Sequence, residues 1–199
     1  MTPHNAPHTP SKDEIDTLPP FEALGPDRIT VVNTAEGVRA VAPRLLAERV
    51  WGFDTESKPT FHRDEVSDGP HVVQLACADH AWVFQLGDRA CLHAVAELLE
   101  SPGHVLAGFG LGDDRKRLQR KLGVSPEGVL ELNTLFRQRG HRKEVGVKAA
   151  IAILFGQRFA KSKKAATSNW ANERLSPSQV VYAANDAWGA YRVAQALGV

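Results

Sequence analysis

Apolar and polar positions follow two periods along this chain, and the places where the period changes divide it into strands and helices. The run Val50-Trp51-Gly52-Phe53 passes into alternating Asp54-Thr55-Glu56, which predicts a strand over residues 50–56. Residues 72–77 and 82–86 predict a hairpin turning at Ala78-Asp79-His80, and residues 105–109 and 129–132 two more strands. Between them the spacing lengthens to the helical period. Thr34 stands as N-cap before apolar Val38, Val41, Leu45 and Leu46, residues 91–99 form a further helix, and Leu111, Leu118 and Leu122 share one stripe over residues 111–122. The chain beyond residue 132 is mostly helical. Its closing helix has a clear start, with Ser176 as N-cap, Pro177 in the first turn and Gln179 completing a capping box.

Three strands, a helix, a strand, a helix and a fifth strand predict an α/β fold: a mixed five-stranded sheet flanked by helices, with its first pair antiparallel. The 199 residues, 43% of them hydrophobic, suffice for one well-buried core. Residues 1–20, rich in Pro, His and short polar residues, are expected to be a flexible tail, and residues 21–199 a single domain. No apolar run reaches the ~18 residues of a membrane span and the start lacks a leader pattern, so a soluble, cytoplasmic protein without membrane partners is expected. Cys77 and Cys91 have neither disulfide-framework nor zinc-site spacing and read as small buried hydrophobes.

Charge adds a second layer. A formal net charge of +1 conceals a positive middle third, where residues 111–170 hold 14 Lys and Arg against 5 Asp and Glu. Solvated helix faces account for some of this, and a polyanion footprint is the sharper reading.

The candidate chemistry is acidic. Side chains two apart on a strand share a face, so Asp54 and Glu56 stand together with Thr55 opposite. In the helix over residues 111–122, Asp114 lies within ~60° of Leu111 and faces the sheet, whereas Asp113 faces water. Tyr182 and Asp186 are one turn apart on the closing helix and share a face. Each pair alone has an ordinary structural account, as a fraying strand end, a first-turn acid or a helix-surface hydrogen bond. Their convergence on one sheet edge does not, because unpaired buried carboxylates are costly and usually hold cations.

In order, Phe53-Asp54-Thr55-Glu56, Gly108-Phe109-Gly110-Leu111-Gly112-Asp113-Asp114-Arg115 and Tyr182-Ala183-Ala184-Asn185-Asp186-Ala187 resemble the three motifs of the DEDDy 3′–5′ exonucleases. Werner-syndrome-type exonuclease domains are the nearer likeness and ribonuclease D the wider one. Val72-Val73-Gln74-Leu75, Val145-Gly146-Val147-Lys148, Lys161-Ser162 and Ser168-Asn169-Trp170 extend the resemblance over roughly residues 30 to 197. Gly108 stands where the ribonuclease D branch tends to have histidine.

The resemblance implies a ribonuclease-H-like fold and catalytic residues Asp54, Glu56, Asp114, Tyr182 and Asp186. It also implies two Mg²⁺ or Mn²⁺ ions held by the four carboxylates, with Tyr182 orienting the attacking water. The substrate is then single-stranded or 3′-recessed nucleic acid, DNA slightly favoured over RNA, and the product a nucleoside 5′-monophosphate. Lys148, Arg158, Lys161, Lys163 and Lys164 are candidates for the upstream phosphates. Thr55 and Phe61 are further candidate substrate contacts, with His62 beside Phe61, and Trp170 reads as a core aromatic. No further nucleic-acid-binding domain follows in this sequence, so grip is expected from this domain, a partner or a homo-oligomer. Three alternatives stand beside this reading. One is a ribonuclease D-like exoribonuclease, another a catalytically silent nucleic-acid-binding module. The third is a nucleotide-binding oxidoreductase, disfavoured because Asp113 replaces the last glycine of the fingerprint begun by Gly108 and Gly110.

Overall fold

A computed structural model of the protein describes residues 7–60 and 67–199. Six strands form one mixed sheet: β1 (Ile29–Val32), β2 (Val50–Glu56), β3 (Val72–Cys77), β4 (His80–Gln85), β5 (Val105–Gly108) and β6 (Val129–Glu131). The helices are α1 (Lys12–Asp16), α2 (Ala35–Leu46), α3 (Arg89–Leu99), α4 (Leu111–Leu122), α5 (Leu132–Gln138), α6 (Val147–Phe155), α7 (Lys163–Ala166) and α8 (Pro177–Leu197). In the sheet the strands lie in the order β1-β4-β3-β2-β5-β6. The β2–β3–β4 meander is antiparallel, and β1, β5 and β6 join it parallel.

The α/β class with an antiparallel first pair is thus as the sequence predicts, with one strand more. That strand, β1, is four residues at the sheet edge with Val31 exposed, so it lacks the continuous burial that marks the central strands. β4 begins at His80, two residues earlier than expected. Ala78 turns with φ near 49°, so Cys77 already pairs with His80.

Part of the segment expected to be a flexible tail carries regular structure, although residues 7–14 stay exposed or half-buried. Ser11 and Glu14 close a capping box around α1, and Ile15 is buried. Pro20 bridges Arg158, with Arg158 N–H donating to the Pro19 carbonyl at 2.8 Å and Phe21 N–H to the Arg158 carbonyl at 2.9 Å. Phe21 packs between Phe155 and Phe159. Backbone bonds and aromatic anchors hold this arm, neither of which has a period to detect.

The longest helix, α8, lies across the sheet centre. Close approach requires small residues on both sides: a Cβ on Gly52 of β2 would meet the Ala187 carbonyl oxygen at 2.0 Å and Tyr191 N at 2.6 Å. Ala183, Ala184, Ala187 and Ala190 complete this fully packed seam, which brings Asp186 down onto β2 beside Asp54.

Candidate active site

Asp54, Glu56 and Asp186 meet at the C-terminal end of β2. Each offers a carboxylate oxygen, and the three oxygens lie within 4.8 Å of one another. Strand alternation puts the first two on one face, and the α8 seam delivers the third. Asp54 is further fixed by accepting a hydrogen bond from Thr55 N–H at 2.9 Å.

Asp114 approaches separately. α4 starts at Gly110, which has φ 73° and no side chain to cap the helix; the Glu131 carboxylate supplies the cap, accepting from Leu111 N–H at 2.9 Å. This sets the register that buries Asp114 and leaves Asp113 exposed, paired with Lys116. Asp114 accepts the hydroxyl hydrogen bond of Thr55, whose side chain leaves β2 on the face opposite Asp54. Thr55, expected to touch substrate, is instead buried and committed to Asp114, because its face of the strand is covered by α4.

Burial shifts all four acids the same way, upward. Glu56 is pushed up to about 9, first by burial and then by the charges of Asp54 and Asp186. Burial and the Asp186 charge raise Asp54 well above its ordinary value. Burial raises Asp114 despite the Thr55 hydrogen bond, and it raises Asp186 despite Lys161. Burial and the Asp186 charge likewise lift Tyr182, so its phenol is protonated at neutral pH.

Lys161 is the cation in this cluster. Its Nζ lies 2.6 Å from Asp186 Oδ2 and 5.2 Å from the centroid of the Tyr182 ring. The contact is a short ion pair, and the Asp186 side chain is almost fully buried. Buried Gln74, directly across from Asp54 in the β2–β3 register, has an amide without a hydrogen-bond partner among the described residues. The three clustered acids offer only oxygen donors. Such a set fits a hard divalent cation such as Mg²⁺ or Mn²⁺.

Asp54 and Asp186 open into a cavity of about 1310 Å³. Tyr182, Lys148, Arg158, Lys161 and Lys163 line it with them. Lys164 is exposed beside them on α7. Phe61 and His62 lie outside the described residues. Trp170 is a core residue as expected, with its ring 5.9 Å from that of Tyr182 and its loop tied to α8 through Gln179, which donates to Ser168 Oγ at 2.9 Å.

Lys12, Ile15 and Asp16 of α1 also line the cavity, a contribution the sequence reading missed. Its signal was legible: Ser11-Lys12-Asp13-Glu14 is a capping box. The Asp16 carboxyl is held below its ordinary value first by the Lys12 hydrogen bond, with Arg158 and Lys148 adding to it.

Comparison with known proteins agrees with this geometry. The profile of the 3′–5′ exonuclease family matches residues 29–199. The bifunctional 3′–5′ exonuclease/ATP-dependent helicase WRN of Mus musculus is 27% identical over 161 residues, 79% of this chain and 11% of that protein. A 3′–5′ exonuclease of Arabidopsis thaliana is 28% identical over 148 residues, 71% of this chain and 51% of that one. The chain therefore spans about half or less of the length of these curated relatives. In fold it is similar to Trypanosoma brucei RNase D, solved in complex with RNA U12, with a TM-score of 0.74 at 22% identity over 93% of this chain and 64% of that one.

Proposed function

The chain belongs to the 3′–5′ exonuclease family, and from that premise we propose that it removes nucleoside 5′-monophosphates one at a time from a free 3′-hydroxyl end, using two divalent cations, Mg²⁺ or Mn²⁺. The observation that carries this reading is the convergence of Asp54, Glu56 and Asp186 within 4.8 Å, beside Tyr182 and in a cavity walled by lysine and arginine.

Asp54, Glu56 and Asp186 would hold the first cation, and Asp54 with Asp114 the second. Bound there, the ions supply activation of a water nucleophile and neutralise charge at the phosphoryl group and the leaving 3′ oxygen. The chain's own residues do the rest. Raised carboxyl pKa values keep protons on the metal-free cluster, and ligation expels them, so affinity for the cation rises with pH. Tyr182, protonated, orients the water through a hydrogen bond and does not remove its proton. Thr55 fixes the direction of Asp114. Lys148, Arg158 and Lys163 receive upstream phosphates along the cavity wall.

Single-stranded or 3′-recessed DNA is the proposed substrate. RNA is the second reading, favoured by the fold shared with an RNase D that was solved with RNA. The acid cluster itself reads no 2′-hydroxyl. Initial rates on matched single-stranded DNA, recessed duplex and RNA, each with Mg²⁺ or Mn²⁺, decide between them. We expect DNA to be degraded at least as fast as RNA; an RNA rate about tenfold higher would assign the enzyme to RNA.

A further inference from the structure

The Asp186 carboxylate faces two demands. It belongs to the cluster that fits a divalent cation, and its Oδ2 lies 2.6 Å from Lys161 Nζ. Both groups are largely withdrawn from water: the Asp186 side chain is 3% exposed and that of Lys161 27%. An ammonium and a metal ion on one buried carboxylate repel each other strongly, because both are cations and solvent there screens little.

We propose that Lys161 is a built-in counter-ion that a divalent cation must displace, and that the lysine so released becomes the ligand of a substrate phosphate. The proposal rests on the metal-dependent reading above. Three observations support it. Without a metal, Lys161 is the basic side chain ion-paired with the cluster among the described residues, so it offsets part of the repulsion between Asp54, Glu56 and Asp186. Lys161 is the more exposed partner of the pair, at 27% against 3% for Asp186, and it lines the cavity, so its ammonium has open space to move into when another cation takes its place. Finally, Lys161 lines the same cavity as Lys148, Arg158 and Lys163 and lies over the Tyr182 ring, so an ammonium leaving Asp186 remains at the reacting end of the phosphate track.

Two consequences follow from one exchange. Metal affinity is held down by the lysine, and occupation of the metal site prepares the phosphate site. Metal and nucleotide should therefore bind with positive coupling, each tightening the other by the same factor.

The test is Mn²⁺ binding by the full chain without substrate, followed by calorimetry or electron paramagnetic resonance. Lys161→Met should bind Mn²⁺ at least about tenfold more tightly than wild type, since a competitor and a like charge are removed together. Lys161→Arg, which keeps the charge, should not. Binding of a nucleoside 5′-monophosphate should tighten with Mn²⁺ in wild type and lose that coupling in Lys161→Met. If the methionine variant does not fold, Lys161→Gln is held to the same criterion. A folded neutral variant with unchanged or weaker Mn²⁺ affinity overturns the exchange while leaving the metal reading in place. A wild-type protein that binds no Mn²⁺ overturns both.

Discussion

Glu56 shows at the scale of one residue what it costs to gather carboxylates at a strand end. Its ordinary carboxyl value is 4.5, and burial followed by the charges of Asp54 and Asp186 carries it to about 9 in the folded, metal-free protein. Between those values the folded chain keeps a proton that the unfolded chain releases. Its contribution to stability is therefore complete below pH 4.5 and is lost as pH rises through 9. With a chelator present, Tm should fall as pH rises over that window, and Glu56→Gln should remove much of the slope. Parallel profiles for wild type and Glu56→Gln would contradict this account of the cluster. Most of these residues were legible in the sequence. Period-two alternation placed Asp54 with Glu56, and a helical register separated Asp114 from Asp113. The partners of Thr55 and Lys161 were not legible, because each contact joins elements far apart in sequence and depends on a side-chain direction that no periodicity encodes.

Among the elements, the arm before β1 is the one whose importance the sequence concealed. It lies ahead of the stretch matching the family profile, yet α1 lines the same cavity as Asp54 and Asp186. Phe21 anchors it against Phe155 and Phe159, with the Arg192 guanidinium 5.5 Å from the Phe21 ring. Leu24 N–H donates to Asn185 Oδ1 at 2.7 Å, which couples the arm to the residue beside Asp186. Replacing a buried phenylalanine by alanine typically costs about 3–5 kcal/mol. Phe21→Ala should destabilise the protein to that extent in urea unfolding, whereas a loss under about 1 kcal/mol would mean that the arm is dispensable for the fold. The central strands were readable as continuous apolar runs because both their faces are buried, and the helices by their apolar stripes. β2, β3, α4 and the cap of α8 fall where the pattern puts them. β1, short and half-exposed, lacks that constraint and surfaces only through its pairing with β4.

Viewed whole, the molecule is a sheet whose central strand carries two acids, with α8 pressed onto it to deliver a third acid and a tyrosine. The glycine at position 52 and the alanine seam of α8 make that approach geometrically feasible. Basic side chains from α6, α7 and the segment between them line the cavity that Asp54 and Asp186 also line. Among the described residues, no helix is long and apolar enough to cross a membrane. The central claim is that Asp54, Glu56 and Asp186 form a metal-dependent centre acting only at 3′ ends. A time course on a 5′-labelled single strand with a free 3′-hydroxyl, run with Mn²⁺ for wild type and Asp54→Asn, tests it most directly. The wild type should give a ladder descending one nucleotide at a time, abolished by chelator, by Asp54→Asn and by a 3′-phosphate. Internal fragments from a circular strand, or an undiminished ladder from folded Asp54→Asn, would contradict the claim.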